Sequence, residues 1–186
     1  MLAGTDRGLT GREVALLTGR SSHSGVLAVL NRLTEHGLVT RVELNRASLF
    51  TLNRDHLATP AVVALAGMRT ALLGHLQTQL AKWEIAPIHA SLFGSTARGD
   101  GDTQSDIDVF VVRPAVISEE DPHWRKQVDD LEESIGRLTG NGVAVLEVSE
   151  TELERLSKDE PPIVVALLAD AVVLSGPRVS VLFGDE

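Results

Sequence analysis

The chain has 186 residues, 43% hydrophobic but only 3% aromatic and without tyrosine. That is enough for a Leu/Val/Ala core in one ordinary domain or two small ones, and it argues against wholesale disorder and against an aromatic platform for stacking single-stranded bases. Cysteine is absent, which excludes disulfides, thiolate metal sites and Cys nucleophiles, and no apolar stretch reaches membrane-spanning length, so a soluble, cytoplasmic chain with no membrane partner is expected. The net charge of -9 is uneven: residues 1–56 hold seven Arg against five acids, about +2, and the rest carries -11, which suggests two modules with different partners.

From Thr10 to Gly19, TGREVALLTG predicts a short helix with Val14, Leu16 and Leu17 inward. After the break at Gly19, Ser21 or Ser22 caps a second helix carrying Val26, Leu27, Val29, Leu30 and Leu33. It ends near His36-Gly37, where glycine supplies the left-handed turn. Leu38 to Thr40 and Ser48 to Leu52 read as two short strands around a turn at Asn45-Arg46-Ala47.

The order helix, turn, helix, hairpin resembles a winged helix-turn-helix, and LNRLTEHGLVTRV is similar to runs in MarR- and ArsR-like regulators. In that resemblance Arg20, Ser22, His23 and Ser24 open the recognition helix, and Arg41 and Arg46 lie on the wing, within reach of DNA phosphates or a narrow minor groove. Winged helices also serve as protein-docking modules, and a surplus of two charges does not choose between the roles. Families of this kind begin with a further helix, of which Met1 to Gly4 reads as the last turn. The expectation is either a start placed upstream of Met1 or a core completed by dimerising.

Residues 57–84 are expected to form one connecting amphipathic helix, with Pro60 in its first turn and an apolar stripe of Val63, Leu65, Leu72, Leu73, Leu76 and Leu80. His75 lies in that stripe and reads as a tolerated core or interface residue rather than a ligand. An Ala/Leu helix of this length also suits a homodimer interface.

The stretch Ile88 to Val112, IHASLFGSTARGDGDTQSDIDVFVV, carries the functional argument. An apolar strand runs into Gly94-Ser95; Ala97-Arg98-Gly99 and a polar loop follow; a second apolar strand then begins with Asp106 and Asp108. Residues two apart on a strand share a face, so the two carboxylates project together, and they repel unless a cation lies between them. Magnesium is held by one or two carboxylates plus phosphate oxygens. Gly94 lets backbone approach a phosphate, Ser95 offers a hydroxyl and an N–H at a helix start, and Arg98 is a forked donor one turn on. No Walker loop, dinucleotide fingerprint or H-E-x-x-H zinc motif is present. His89, on the first strand, reads as structural.

Ten residues separate Ser95 from Asp106, and GS-x10-D-x-D resembles the signature of the polymerase-beta-like nucleotidyltransferase superfamily, in particular its minimal members. The resemblance covers roughly residues 86–176. It implies Mg2+ (or Mn2+) held by Asp106 and Asp108, phosphates held by Gly94, Ser95 and Arg98, and a nucleoside triphosphate substrate, with ATP favoured. A third carboxylate completes such sites from a neighbouring strand. Gly142 to Ser149 is the candidate strand, and Glu147 is assigned as general base or third metal ligand, against the alternative of a solvent-facing Glu. Minimal members often modify a partner protein or an RNA end in toxin–antitoxin pairs, so an acceptor of either kind is implied.

Towards the end, Glu119 to Thr139 predicts a helix with a solvated acidic face, Ser149 to Leu156 a capped short helix, Ile163 to Ala169 another, and Ala171 to Leu174 a last strand. From Pro177 a loose terminus is expected.

The whole predicts an α+β protein: a winged helix-turn-helix over 1–56, a connecting helix over 57–84, and a nucleotidyltransferase domain over 85–186 with a small mixed sheet flanked by helices. The expected activity is transfer of a nucleoside monophosphate to a protein or RNA hydroxyl. The alternative is a DNA-binding regulator or antitoxin whose transferase-like domain only binds nucleotide.

Overall fold

A two-residue strand, β1 (Leu9–Thr10), leads straight into α1 (Gly11–Thr18), which opens on a reciprocal cap: Thr10 Oγ1 accepts from the Glu13 N–H and the Glu13 carboxylate accepts from the Thr10 N–H. The computed structural model describes residues 1–19, 22–45, 47–99, 105–159 and 162–184. The chain divides into two units, Met1–Arg69 and Thr70–Glu186.

In the first unit, α1 stops at Gly19, whose φ of +65° suits glycine. Helix α2 (His23–Glu35) is capped by Ser22 Oγ, which accepts from the Gly25 N–H. β2 (Val39–Leu44) and β3 (Ala47–Leu52) form an antiparallel hairpin, and β1 adds to β3, giving the order β1-β3-β2. Leu9, Val14, Val26, Leu30, Val39 and Phe50 make the core. Leu16 and Leu17 were expected inward and instead point out, at 81% and 59% exposure, and Val29 of α2 is also exposed. Helix α1 buries Gly11 and Val14; Leu16, two residues from Val14, falls on the far side, and Leu17 at the edge of the buried face is also exposed.

The single connecting helix divides at Gly67 into α3 (Thr59–Ala66) and α4 (Met68–Leu80). Glycine is a weak helix former, and only the second piece contributes apolar side chains to a core. Thr59 Oγ1 donates to the Asn53 carbonyl, tying the start of α3 to the first unit, whereas Leu76 and Leu80 are buried in the second. Val63 and Leu65 therefore lie outside that stripe and are exposed.

The second unit is a four-stranded mixed sheet built from β4 (His89–Phe93), β5 (Ile107–Arg113), β6 (Val143–Ser149) and β7 (Val172–Ser175) in the order β6-β5-β4-β7. β5 and β6 are parallel; β4 is antiparallel to both β5 and β7. A one-turn helix, α5 (Gly94–Arg98), follows β4, and α6 (Pro122–Thr139) makes the crossover from β5 to β6. After β6 come α7 (Glu150–Asp159) and α8 (Pro162–Asp170), and α9 (Val179–Leu182) follows β7.

Alternation sorts the strands onto two faces. Ala90, Leu92, Val109 and Val111 meet Trp124, Val128, Leu131 and Ile135 of α6 and Leu76 and Leu80 of α4. Phe93, Phe110, Val112 and Val148 meet Leu153 of α7, Leu167 of α8 and Val179 of α9. The expected loose terminus is thus corrected as far as residue 184: Val179 is 5% exposed and fills this second core. Among the described residues no helix is long and apolar enough to cross a membrane.

Candidate nucleotide and metal site

The antiparallel register pairs Phe93 with Asp108, so β4 delivers Gly94 to the side of the acid pair. Gly94 has φ +67°, and a β-carbon added there would lie 2.4 Å from Asp108 Oδ2. Its identity is required twice: by the left-handed backbone and by the carboxylate packed against it. On the other side of β5, the Ile107 N–H donates to the Gly142 carbonyl at 2.8 Å, and a β-carbon on Gly142 would lie 2.3 Å from Asp106 Oδ1. Asn141 Nδ2 donates to the Ser105 carbonyl at 2.9 Å and holds the approach to β5. Two glycines therefore make room for two carboxylates.

Asp106, Asp108 and Phe110 share a face by alternation, with Asp106 exposed and Asp108 half-buried. The Asp108 carboxyl is raised above its ordinary range, first by burial and second by the negative charge of Asp106; Arg98 partly offsets this. Ser95 is half-buried in α5. Arg98, at the end of α5, donates from Nη1 to Asp170 Oδ2 at 2.5 Å. With only five residues α5 carries little macrodipole, so an anion placed here would have to be met by the Gly94 and Ser95 backbone, the Ser95 hydroxyl and the Arg98 charge.

Glu147 does not join the pair. β5 and β6 run parallel with Asp108 opposite Ala144 and Val111 opposite Glu147, which puts Glu147 on the other face of the sheet and three register positions further along. There its Oε1 accepts from Arg113 Nε at 2.7 Å and from Trp124 Nε1 at 2.9 Å, and its Oε2 from Arg125 Nη1 at 3.4 Å. Arg113 also donates to the Ile117 carbonyl. Glu147 is a half-buried acid held by these donors away from the Asp106–Asp108 pair, and its assignment as base or ligand is corrected. The β6 residue level with Asp108 is Ala144. Among the described residues no group of three His, Cys, Asp or Glu side chains comes together to hold a metal. Two carboxylates, one of them electrostatically strained by the other, still form a donor set that fits magnesium when phosphate oxygens supply the remaining ligands.

His89 is fully buried. Its Nδ1 lies 2.9 Å from the Pro177 carbonyl, which can only accept, so Nδ1 carries the proton and Nε2 accepts from Ser91 Oγ at 2.9 Å. It ties the segment after β7 to β4. His75 Nε2 lies 3.2 Å from Ser134 Oγ, a polar contact between α4 and α6.

In the first unit, Ser22, His23 and Ser24 are exposed at the start of α2, with Ser22 Oγ within 3.2 Å of Ser24 Oγ. Arg41 is engaged within the hairpin: it pairs with Glu43 at 2.5 Å, donates to Ser48 and Asn31, and lies 5.8 Å above the Phe50 ring. Arg20 and Arg46 lie outside the described residues.

Gly142 and Asp170 were not singled out from sequence. Asp170 is 72 residues from its partner Arg98, and nothing local marks either one.

A nucleotidyltransferase-domain family model matches residues 76–165. No curated protein sequence is a significant match. Among solved structures, the chain is similar to a mutant of the toxin–antitoxin MntA–HpeT, at 15% identity and a TM-score of 0.40 over 60% of this chain and 79% of that one. It is also similar to a toxin–antitoxin structure with AMP-PNP, at 15% identity and a TM-score of 0.35 over 58% and 81%. A third is a Sulfolobus solfataricus protein assigned as a nucleotidyltransferase, at 21% identity and a TM-score of 0.34 over 58% and 83%.

Proposed function

We propose that the second unit is a divalent-metal-dependent nucleotidyltransferase that moves a nucleoside monophosphate, AMP by preference, from its triphosphate to a hydroxyl on a protein or RNA. The observation that carries this reading is the packing of Asp108 against Gly94, which joins a phosphate-approach loop to a carboxylate pair at one end of the central strands β4 and β5. The family model over residues 76–165 supports transferase chemistry for this part of the chain.

Asp106 and Asp108 would hold Mg2+ or Mn2+, which supplies charge neutralisation at the phosphates. Gly94 and Ser95 offer N–H groups and a hydroxyl to phosphate oxygens, and Arg98 adds a positive charge at the end of α5. Attack of the acceptor oxygen forms a bond to the α phosphorus and breaks its bond to the β-phosphate oxygen, releasing pyrophosphate. The acceptor's proton has no carboxylate from β6 to take it, because Ala144 stands level with Asp108, so it leaves to water or to a base carried by the acceptor. Asp106→Asn, incubated with labelled nucleoside triphosphate and a lysate of acceptors, should lose label transfer; unchanged transfer would remove this site from the reaction.

The same Ala144 favours a second reading, in which the unit binds nucleotide and the first unit acts on DNA. In that reading Ser22, His23 and Ser24 approach the groove, Arg20 joins them, and Arg41 and Arg46 reach phosphates. A gel shift whose affinity changes with ATP while no pyrophosphate is released would select it.

A further inference from the structure

We propose that Asn141 and Gly142, the two residues before β6, are positioning residues for the metal site: together they fix the Asp106 carboxylate beside Asp108, where a divalent cation would be held. This rests on the nucleotide-site reading above.

The two acids are not equally supported by the sheet. Asp108 lies inside β5, paired with Phe93 on one side and Ala144 on the other. Asp106 stands one residue before β5 and is exposed, and the β5–β6 pairing begins at Ile107. A metal ligand outside the ladder needs another anchor, because ordering a loose side chain on a ligand costs entropy.

Asn141 and Gly142 supply that anchor on both flanks. Asn141 Nδ2 donates to the Ser105 carbonyl at 2.9 Å, which holds the peptide plane before Asp106. The Gly142 carbonyl accepts from the Ile107 N–H at 2.8 Å, which holds the plane after it. With both planes held, the two backbone dihedrals of Asp106 are set, and so is the direction of its side chain. Gly142 also makes the space. Among the described residues, the atoms that a β-carbon there would meet are Oδ1 and Cγ of Asp106. Gly142 does not have a positive φ, so its backbone does not call for glycine; the Asp106 carboxylate does.

The anchor is itself fixed. Gly140, at φ +75°, ends α6 with its N–H donating to the Gly136 carbonyl at 2.8 Å, and the Asn141 N–H donates to Thr139 Oγ1 at 3.2 Å. Helix α6 is in turn buried against the sheet through Val128, Leu131 and Ile135.

The test titrates manganese into wild-type protein, Gly142→Ala and Asn141→Ala, each with whichever of the four nucleoside triphosphates the wild type binds. Nucleotide affinity at saturating manganese and the melting temperature of the metal-free protein are measured alongside. Both variants should need about 10- to 100-fold more manganese to reach half-saturation. At saturating manganese their nucleotide affinity should return to the wild-type value, because the phosphate-binding loop is untouched. Metal-free Gly142→Ala should melt no lower than wild type, since alanine at a compatible φ reduces the entropy of the unfolded chain. An unchanged manganese midpoint in either variant, a nucleotide affinity that extra metal does not restore, or a Gly142→Ala melting temperature that falls in step with the binding loss would each overturn the inference and leave the nucleotide site standing. Wild-type protein that binds none of the four with manganese overturns the nucleotide site itself and this inference with it.

Discussion

Asp108 leans on Gly94 so closely that a single added carbon would lie 2.4 Å from its carboxylate oxygen. Gly94→Ala therefore meets two obstacles, a φ of +67° and a carboxylate that must move. The backbone conformation alone costs about 1–3 kcal/mol for a non-glycine residue. The expected outcome is a lower melting temperature together with loss of magnesium-dependent nucleotide binding. A variant that melts lower but binds normally would show that the contact shapes the fold and not the site.

Asp108 sits under electrostatic strain that a cation would relieve. Burial and the neighbouring Asp106 raise its carboxyl above the ordinary range, so the folded protein takes up a proton more readily there than the unfolded chain. The ionised form then opposes folding near neutral pH, and this contribution eases as pH falls through the raised range. Asp108→Asn should consequently raise the melting temperature of the metal-free protein at pH 7 while abolishing stabilisation by magnesium and nucleotide. Thermal shift with and without magnesium reads both effects; an unstable Asn variant would contradict the strain.

Glu147 should separate stability from function in the opposite sense. Removing its charge with Glu147→Gln strands Arg113, whose side chain is 8% exposed, and breaking a buried pair costs about 3–5 kcal/mol. At temperatures where the variant remains folded, nucleotide affinity should match wild type, because Glu147 lies on the face opposite Asp108. A selective loss of magnesium-dependent binding, measured below the melting transition, would restore it to the site.

His89 gives the second unit a pH dependence of its own. Burial lowers its tendency to protonate, while the bond to the Pro177 carbonyl works weakly the other way. The unfolded chain therefore binds the proton first, starting near the ordinary histidine value of about 6.5. Stability is fully present above that value and falls as pH drops towards the lowered folded value. Chemical denaturation between about pH 7 and pH 5 should show this loss, and His89→Gln should flatten it; an equal slope in the variant would assign the effect to other groups.

The site pair and its loop were legible in the sequence because their information is local. Gly94, Ser95, Asp106 and Asp108 fall within fifteen residues, and two-residue alternation puts the acids on one face without knowledge of any other strand. Glu147 failed for the complementary reason. Its parity within β6 was clear, but which β5 residue it faces depends on the register of a parallel pair joined by the α6 crossover, and a one-residue slip exchanges faces. Leu16 and Leu17 failed because α1 spans two turns, too few to define a stripe. The division at Gly67 was hidden for another reason: apolar residues on both sides keep a helical rhythm, although only those of α4 enter a core. Arg98–Asp170, joined only by the tertiary fold, left no local trace.

The most direct test of the central claim is calorimetric titration of ATP and GTP into the whole chain, with and without magnesium, beside the Asp106→Asn, Asp108→Asn double variant. The site described here should bind a nucleotide only with magnesium and lose that binding in the folded double variant. Binding that ignores magnesium, or that survives loss of both carboxylates, would contradict it.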